Sequence, residues 1–299
     1  MGSVKYHLLF CLTLLAPLGL FCQKTYQFRL IDRVSKQPVP FATVGLVQQN
    51  TGASTDSEGM LSLKGVVNSA DSVIVSCLGY ESKRLALAQL SVQDINSIEL
   101  ESKVYTMQAI EIKPEEFSDE VLVLNKIIKK DYPIGLIVGD FSQQNARKFE
   151  LKPEQGRNLL RSLSFLAKRR PDHQIATIRV RIYEANPDSE IPGPDLLNTN
   201  IIRTVHKNDE IIKVDLSKYG IIVSDPGFFV AFEWIKTKEN SIQLRQRDGS
   251  FRESFIPSIG ITGEKSDSCW TLNYKNEWSD QFKFDLAISA EISPAIKKN

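Results

Sequence analysis

Through most of the chain, apolar and polar residues alternate in short runs, with the two-residue period of a half-buried strand. Tyr26-Gln27-Phe28-Arg29-Leu30-Ile31 is the first such run, and residues 41–47, 60–63, 71–78, 98–100 and 109–112 continue the series. Residues 32–40, with two prolines, read as a connection, and Asp56-Ser57-Glu58-Gly59 as a tight turn. Many short strands with hardly any helix predict a small antiparallel sandwich over residues 23–113.

The period changes after Pro114. Glu115, Glu116, Asp119 and Glu120 precede Lys126, Lys129 and Lys130, the charge order that suits a helix dipole. Val121, Leu124, Ile127 and Ile128 share helical spacing, and Tyr132-Pro133 ends the run, so residues 114–138 are expected to form a short helical linker. Strand-like alternation returns at 159–167 and 175–183. In the second run Thr177, Arg179 and Arg181 point one way and Ile178, Val180 and Ile182 the other. Further strands are expected at 211–215, 221–223, 228–235 and 282–288, with a long loop over 186–195. The fold class is therefore mainly β, with a second sandwich over residues 139–292 and a tail at 293–299.

The N-terminus reads as a secretion signal over residues 1–22. Lys5 and His7 lie in a short polar start, and an apolar run from 8 to 21 is too short to span a bilayer. Cleavage after Cys22 leaves Gln23 first; retention of Cys22 as a lipid-bearing residue is the second reading, opposed by the bulk of Phe21 before it. Without residues 1–22 the chain loses Lys5 and no acid, so its 37 basic and 36 acidic residues become 36 and 36. A neutral chain gives no electrostatic reason to expect nucleic acid. No later stretch could form a transmembrane helix, and the expected location is the periplasm or cell surface. Cys77 and Cys269 sit far apart and read as packing thiols rather than a bridge.

Several short pieces occur in a telling order: Asp32, Pro38-Val39-Pro40-Phe41-Ala42-Thr43-Val44, Thr55-Asp56-Ser57-Glu58-Gly59, and Ser76-Cys77-Leu78-Gly79-Tyr80-Glu81. Together they resemble the carboxypeptidase-regulatory-like domain, a transthyretin-like sandwich common in Gram-negative envelope proteins. The chain departs from that pattern at Arg29-Leu30-Ile31, where a glycine usually precedes the Asp by two residues, and at Met60, which replaces a bulky aromatic. Residues 139–292 resemble jelly-roll sandwiches of the carbohydrate-binding kind and uncharacterised envelope proteins. That resemblance implies architecture and no activity.

No catalytic residue is identified. His173 and His206 begin no zinc motif, and no nucleophile elbow, phosphate loop or dinucleotide glycine pattern occurs. Neither metal nor cofactor is expected. Asp56 and Glu58 lack the further ligands of a calcium loop. The one lead is aromatic: Trp270, Tyr274 and Trp278 lie near Asn273, Asn276 and Asp280, a composition able to stack and hydrogen-bond a sugar, or else a strand's core residues. The expected function is an exported adaptor or scaffold whose partner is an envelope protein or a glycan; a carbohydrate- or peptide-binding module is the alternative.

Overall fold

The computed structural model describes residues 23–66, 70–103, 116–139, 142–168, 175–206, 210–263, 268–280 and 283–296. The signal-like segment, Cys22 and the expected strand at 109–112 lie outside them. Seven strands build the first unit: β1 (Gln23–Asp32), β2 (Thr43–Leu46), β3 (Thr51–Ser54), β4 (Met60–Val66), β5 (Ser72–Ser76), β6 (Lys83–Ala86) and β7 (Ile95–Leu100). They form a sheet of order β4-β1-β7, with β1 and β7 parallel, and an antiparallel sheet of order β3-β2-β5-β6. Tyr26, Phe28 and Leu30 alternate inward from β1 and meet Val44, Leu46, Val73 and Val75 from the facing sheet. Each such buried side chain contributes about 1.5–3 kcal/mol.

The connections follow the turn chemistry of the sequence. Asp56 Oδ1 accepts the N–H groups of Glu58 at 2.9 Å and Met60 at 2.8 Å. Gly59 has φ +70°, and a Cβ there would lie 2.5 Å from the Leu30 carbonyl oxygen, so a side chain is excluded on both counts. The Thr55 hydroxyl donates to the Val39 carbonyl and accepts from the Ala42 N–H, both at 2.9 Å, which ties the proline-rich connection to β2.

The second unit begins earlier than its composition implies. The described part of the expected helical linker is not a helix: it contains β8 (Leu122–Leu124), a 3₁₀ turn at Lys129–Asp131 and β9 (Ile134–Val138). The apolar residues obey the strand period instead. Leu122 and Leu124 pack on the core while Val121 and Val123 are 46% and 51% exposed. Asn125, at φ +49°, donates from its amide to the Ile288 carbonyl and to the Tyr132 hydroxyl, fixing the bend that a helix would have required to be straight.

The remaining strands are β10 (Ser142–Glu150), β11 (Asn158–Lys168), β12 (Ala176–Asn186), β13 (Ser189–Asp195), β14 (Ile201–Val205), β15 (Ile211–Asp215) and β16 (Ile222–Val223). They continue with β17 (Gly227–Trp234), β18 (Ser241–Arg245), β19 (Phe251–Ile261), β20 (Cys269–Asn273), β21 (Trp278–Ser279) and β22 (Ile288–Pro294). One sheet runs β13-β12-β17-β10-β20-β21, with β14 also on β12. The other runs β18-β19-β11-β22-β8, with β15 and β16 on β11 and β9 on β19. A core of Leu160, Leu163, Phe165, Ile178, Val180, Ile182, Phe232 and Ile288 fills the space between them, making a second β-sandwich. Two expectations shift here. Residues 189–195 form a bulged hairpin strand rather than only a loop, and the last strand is β22 rather than 282–288, so it reaches into the expected tail.

Candidate functional site at the junction of the two sandwiches

Alternation along β12 sends Ile178, Val180 and Ile182 into the core and Arg179, Arg181 and Tyr183 to the opposite face. That face is not open to solvent, because the first sandwich lies against part of it. Arg179 is 2% exposed, paired with Glu233 of β17 at 2.6 Å, and it also donates to the Phe41 carbonyl of the first unit. Gln144 of β10 donates to Glu233 at 3.2 Å and accepts the Tyr183 hydroxyl at 2.7 Å. Arg181 and Asp195 form a further ion pair at 2.5 Å. A cleft of 260 Å³ runs between these groups and the end of β5, with Cys77, Tyr80 and Asn276 at its walls.

Burial sets the protonation of this cluster. It raises the Tyr183 hydroxyl to about 12 and raises the Asp195 carboxyl as well, although Arg181 pulls the latter down. The Cys77 thiol is raised by burial against the opposing charge of Arg179, and burial raises Cys269 further. Both cysteines are free and buried, and thiols held protonated in this way pack rather than react.

A second joint lies beside the first. Gly45 and Gly52 face each other across β2 and β3, leaving a bare spot on the sheet. The ring of Tyr274 fills it: a Cβ on Gly45 would stand 2.6 Å from Tyr274 Cδ1. The Tyr274 N–H donates to Asn50 Oδ1 at 3.0 Å, and the Lys236 ammonium lies 4.8 Å from the ring centroid, within cation–π range. The backbone takes part too, with Ser54 N–H donating to the Lys236 carbonyl at 3.0 Å and Lys236 N–H to the Ser54 hydroxyl at 3.1 Å.

The three aromatic residues singled out from sequence therefore part company. Tyr274 is buried in the joint. Trp270 and Trp278 stay together, half-buried over a floor of Ala146, Ala185, Ala231 and Phe229 on the uncovered part of the same sheet face. Trp278 meets Tyr183 edge to face at 5.4 Å, so this aromatic patch adjoins the polar cleft. Arg179 and Glu233 were not singled out. Their signal was Glu233 itself, a lone charge inside the apolar run of β17, which is buried at every position and so requires a buried partner.

Among the described residues, no group of three His, Cys, Asp or Glu side chains is placed to hold a metal, and no helix is long and apolar enough to cross a membrane. Comparison with curated proteins returns no match for the chain. Residues 29–112 match the family of the CarboxypepD_reg-like domain, so the first sandwich, with its Asp56–Gly59 turn and its Gly45–Gly52 seat, is a β-sandwich module of that non-catalytic type.

Proposed function

We propose that the protein is an exported, non-enzymatic adaptor or scaffold of the cell envelope, working through surfaces of two sandwiches held as one body. The observation that carries this reading is the use made of the charged groups at the junction. Arg179 and Glu233, Arg181 and Asp195, and Tyr183 and Gln144 pair with one another, and Arg179 also with the Phe41 carbonyl of the first sandwich, the Nε groups of the two arginines being left over. A polar joint of this kind fixes the relative orientation of two modules, which is what a connector between partners requires. Export is supported by Lys5 and the apolar run that follows it.

Affinity purification of the full chain from envelope extract tests the proposal. We expect a defined protein partner in stoichiometric amount, and mass spectrometry of the recovered chain should give Gln23 at its start, or a lipidated Cys22. Recovery of an unprocessed cytoplasmic protein would count against the envelope location. The half-buried pair Trp270 and Trp278 favours a second reading, a carbohydrate- or peptide-binding module. Retention on a glycan array that disappears in Trp278→Ala, with no protein partner in the purification, would replace the first reading by this one.

A further inference from the structure

The first sandwich has two strands at the ends of their sheets on the same side: β3 in one sheet and β4 in the other. A groove of 1020 Å³ follows both along their length, from Thr51 to Ser54 and from Met60 to Gly65, and Phe255 with the segment around Lys238 closes it from the second sandwich. The backbone register shows which groups face it. Leu30 N–H donates to the Gly59 carbonyl, and β1 and β4 pair Arg29 with Met60. Antiparallel pairs alternate, so Leu61, Leu63 and Gly65 turn their backbone groups toward β1 while Met60, Ser62 and Lys64 turn theirs outward. Met60 is already occupied, by Asp56. Among the described residues no strand lies against the outer edge at Ser62 and Lys64, whose side chains are exposed.

We propose that this groove takes an extended segment of a partner protein, which adds to the sheet as a strand along the outer edge of β4. A row of outward N–H and C=O groups is matched only by another extended backbone. The six residues from Met60 to Gly65 measure about 20 Å, room for one short strand. The adjacent edge already takes one backbone contact from another segment, since the Ser54 N–H of β3 donates to the Lys236 carbonyl. The occupant's chemistry follows from the pleat. Positions opposite Leu61 and Leu63 share the sheet face that those side chains turn into the sandwich core and are apolar; those opposite Ser62 and Lys64 face solvent and are polar. Lys64 and Lys238 stand in the groove with Asp56, Glu239 and Glu253, one acid in excess, so the occupant is near neutral with at most a slight basic surplus.

This rests on the adaptor reading and supplies its contact surface. The probe is a peptide set selected from a random heptapeptide library on the full-length folded protein. We expect alternating, near-neutral sequences whose binding slows hydrogen exchange at the Ser62 and Lys64 amides. Ser62→Pro removes an N–H that points away from β1, a position where an edge strand tolerates proline. It should lower peptide affinity at least tenfold. The same peptides N-methylated at alternate residues should lose binding to the unmodified protein, a readout that needs no variant to fold. Selected peptides that bind Ser62→Pro and N-methylated forms equally well, or a failure to select any, would overturn the proposal. So would a dimer of the protein that Ser62→Pro dissolves, because the edge would then belong to a second copy. In the envelope purification, a partner retained by both proteins leaves the adaptor reading standing and removes this one; a partner retained by neither removes the adaptor reading.

Discussion

The two faces of β12 are built from the same alternating sequence and buried by opposite means. On one face Ile178, Val180 and Ile182 meet the facing sheet of their own sandwich, a dry apolar core. On the other, Arg179 and Arg181 are covered by or beside the first sandwich and must be neutralised in place, by Glu233 and Asp195. The apolar face gains from burial at every residue, whereas the charged face gains little from burial itself and depends on its geometry. The first kind of packing makes a domain; the second fixes which way two domains face each other.

The largest effect that would break this comparison is removal of one member of the buried pair. Arg179→Ala leaves Glu233 charged and uncompensated under the first sandwich, and we expect a loss of about 3–5 kcal/mol in denaturant unfolding. The double change Arg179→Met with Glu233→Leu should recover most of it, since the pair's own desolvation is costly. A loss below about 1 kcal/mol in the single variant, typical of exposed pairs, would mean that the junction is open in solution.

A somewhat smaller effect is expected at the neighbouring joint. Gly45→Ala places a methyl group against the Tyr274 ring, which is itself buried and held by Asn50. Overpacking of this kind costs about 1–3 kcal/mol. The strand itself tolerates alanine, so the cost should fall on domain docking. Limited proteolysis should then release the two sandwiches as separate fragments, and an unchanged cleavage pattern would show that Tyr274 does not hold them.

These predictions concern a region that was only partly legible. The first sandwich could be read closely because its information is local: Asp56 and Gly59 make their turn with groups a few residues away, and the alternation of Tyr26, Phe28 and Leu30 names its own core face. The strands β3 and β6 are short and polar enough to carry no such period. In the second sandwich, alternation puts Arg179 and Arg181 on the face opposite Ile178, Val180 and Ile182, but it is silent about what covers each face. Covering here comes from residues more than a hundred positions away, such as Phe41 against Arg179. Residues 116–132 failed for a related reason. Their charge order and apolar spacing permit a helix, but the open edge of β22 offers β8 hydrogen bonds that outweigh local preference. Trp270, Tyr274 and Trp278 are neighbours in sequence, but their division between a joint and a half-buried pair over a buried floor depends on the bare Gly45–Gly52 pair in the other domain.

The apolar face gives the matched control. Ile182→Val removes one methylene from the core side of the strand that carries Arg181 and Tyr183, and should cost about 0.5–1.5 kcal/mol. Unlike Arg179→Ala, it should leave domain docking and its proteolytic pattern intact.

The smallest effects are slopes of stability against pH, and there the junction and the first sandwich should differ in sign. Asp32 is held well below the usual carboxylate range by the Ser35 N–H and hydroxyl, the Ser102 hydroxyl and the Val34 N–H. Its contribution is present above about pH 4, the unfolded value, and is lost as pH falls below that toward the folded one. Asp195 is raised by burial, Arg181 opposing only in part. Its contribution is complete below about pH 4 and is lost as pH rises through the elevated folded value. Melting temperatures taken from about pH 3 to about pH 8 in Asp32→Asn and Asp195→Asn separate the two by slope, whatever each substitution does to the level. Asp32→Asn should flatten the acid limb, and Asp195→Asn should steepen the rise of stability just above about pH 4 by removing the term that opposes it. A slope in Asp195→Asn unchanged from that of the unsubstituted protein would mean that Asp195 is as hydrated as an ordinary surface acid, and that the first sandwich does not seal the face of β12 on which Arg181 lies.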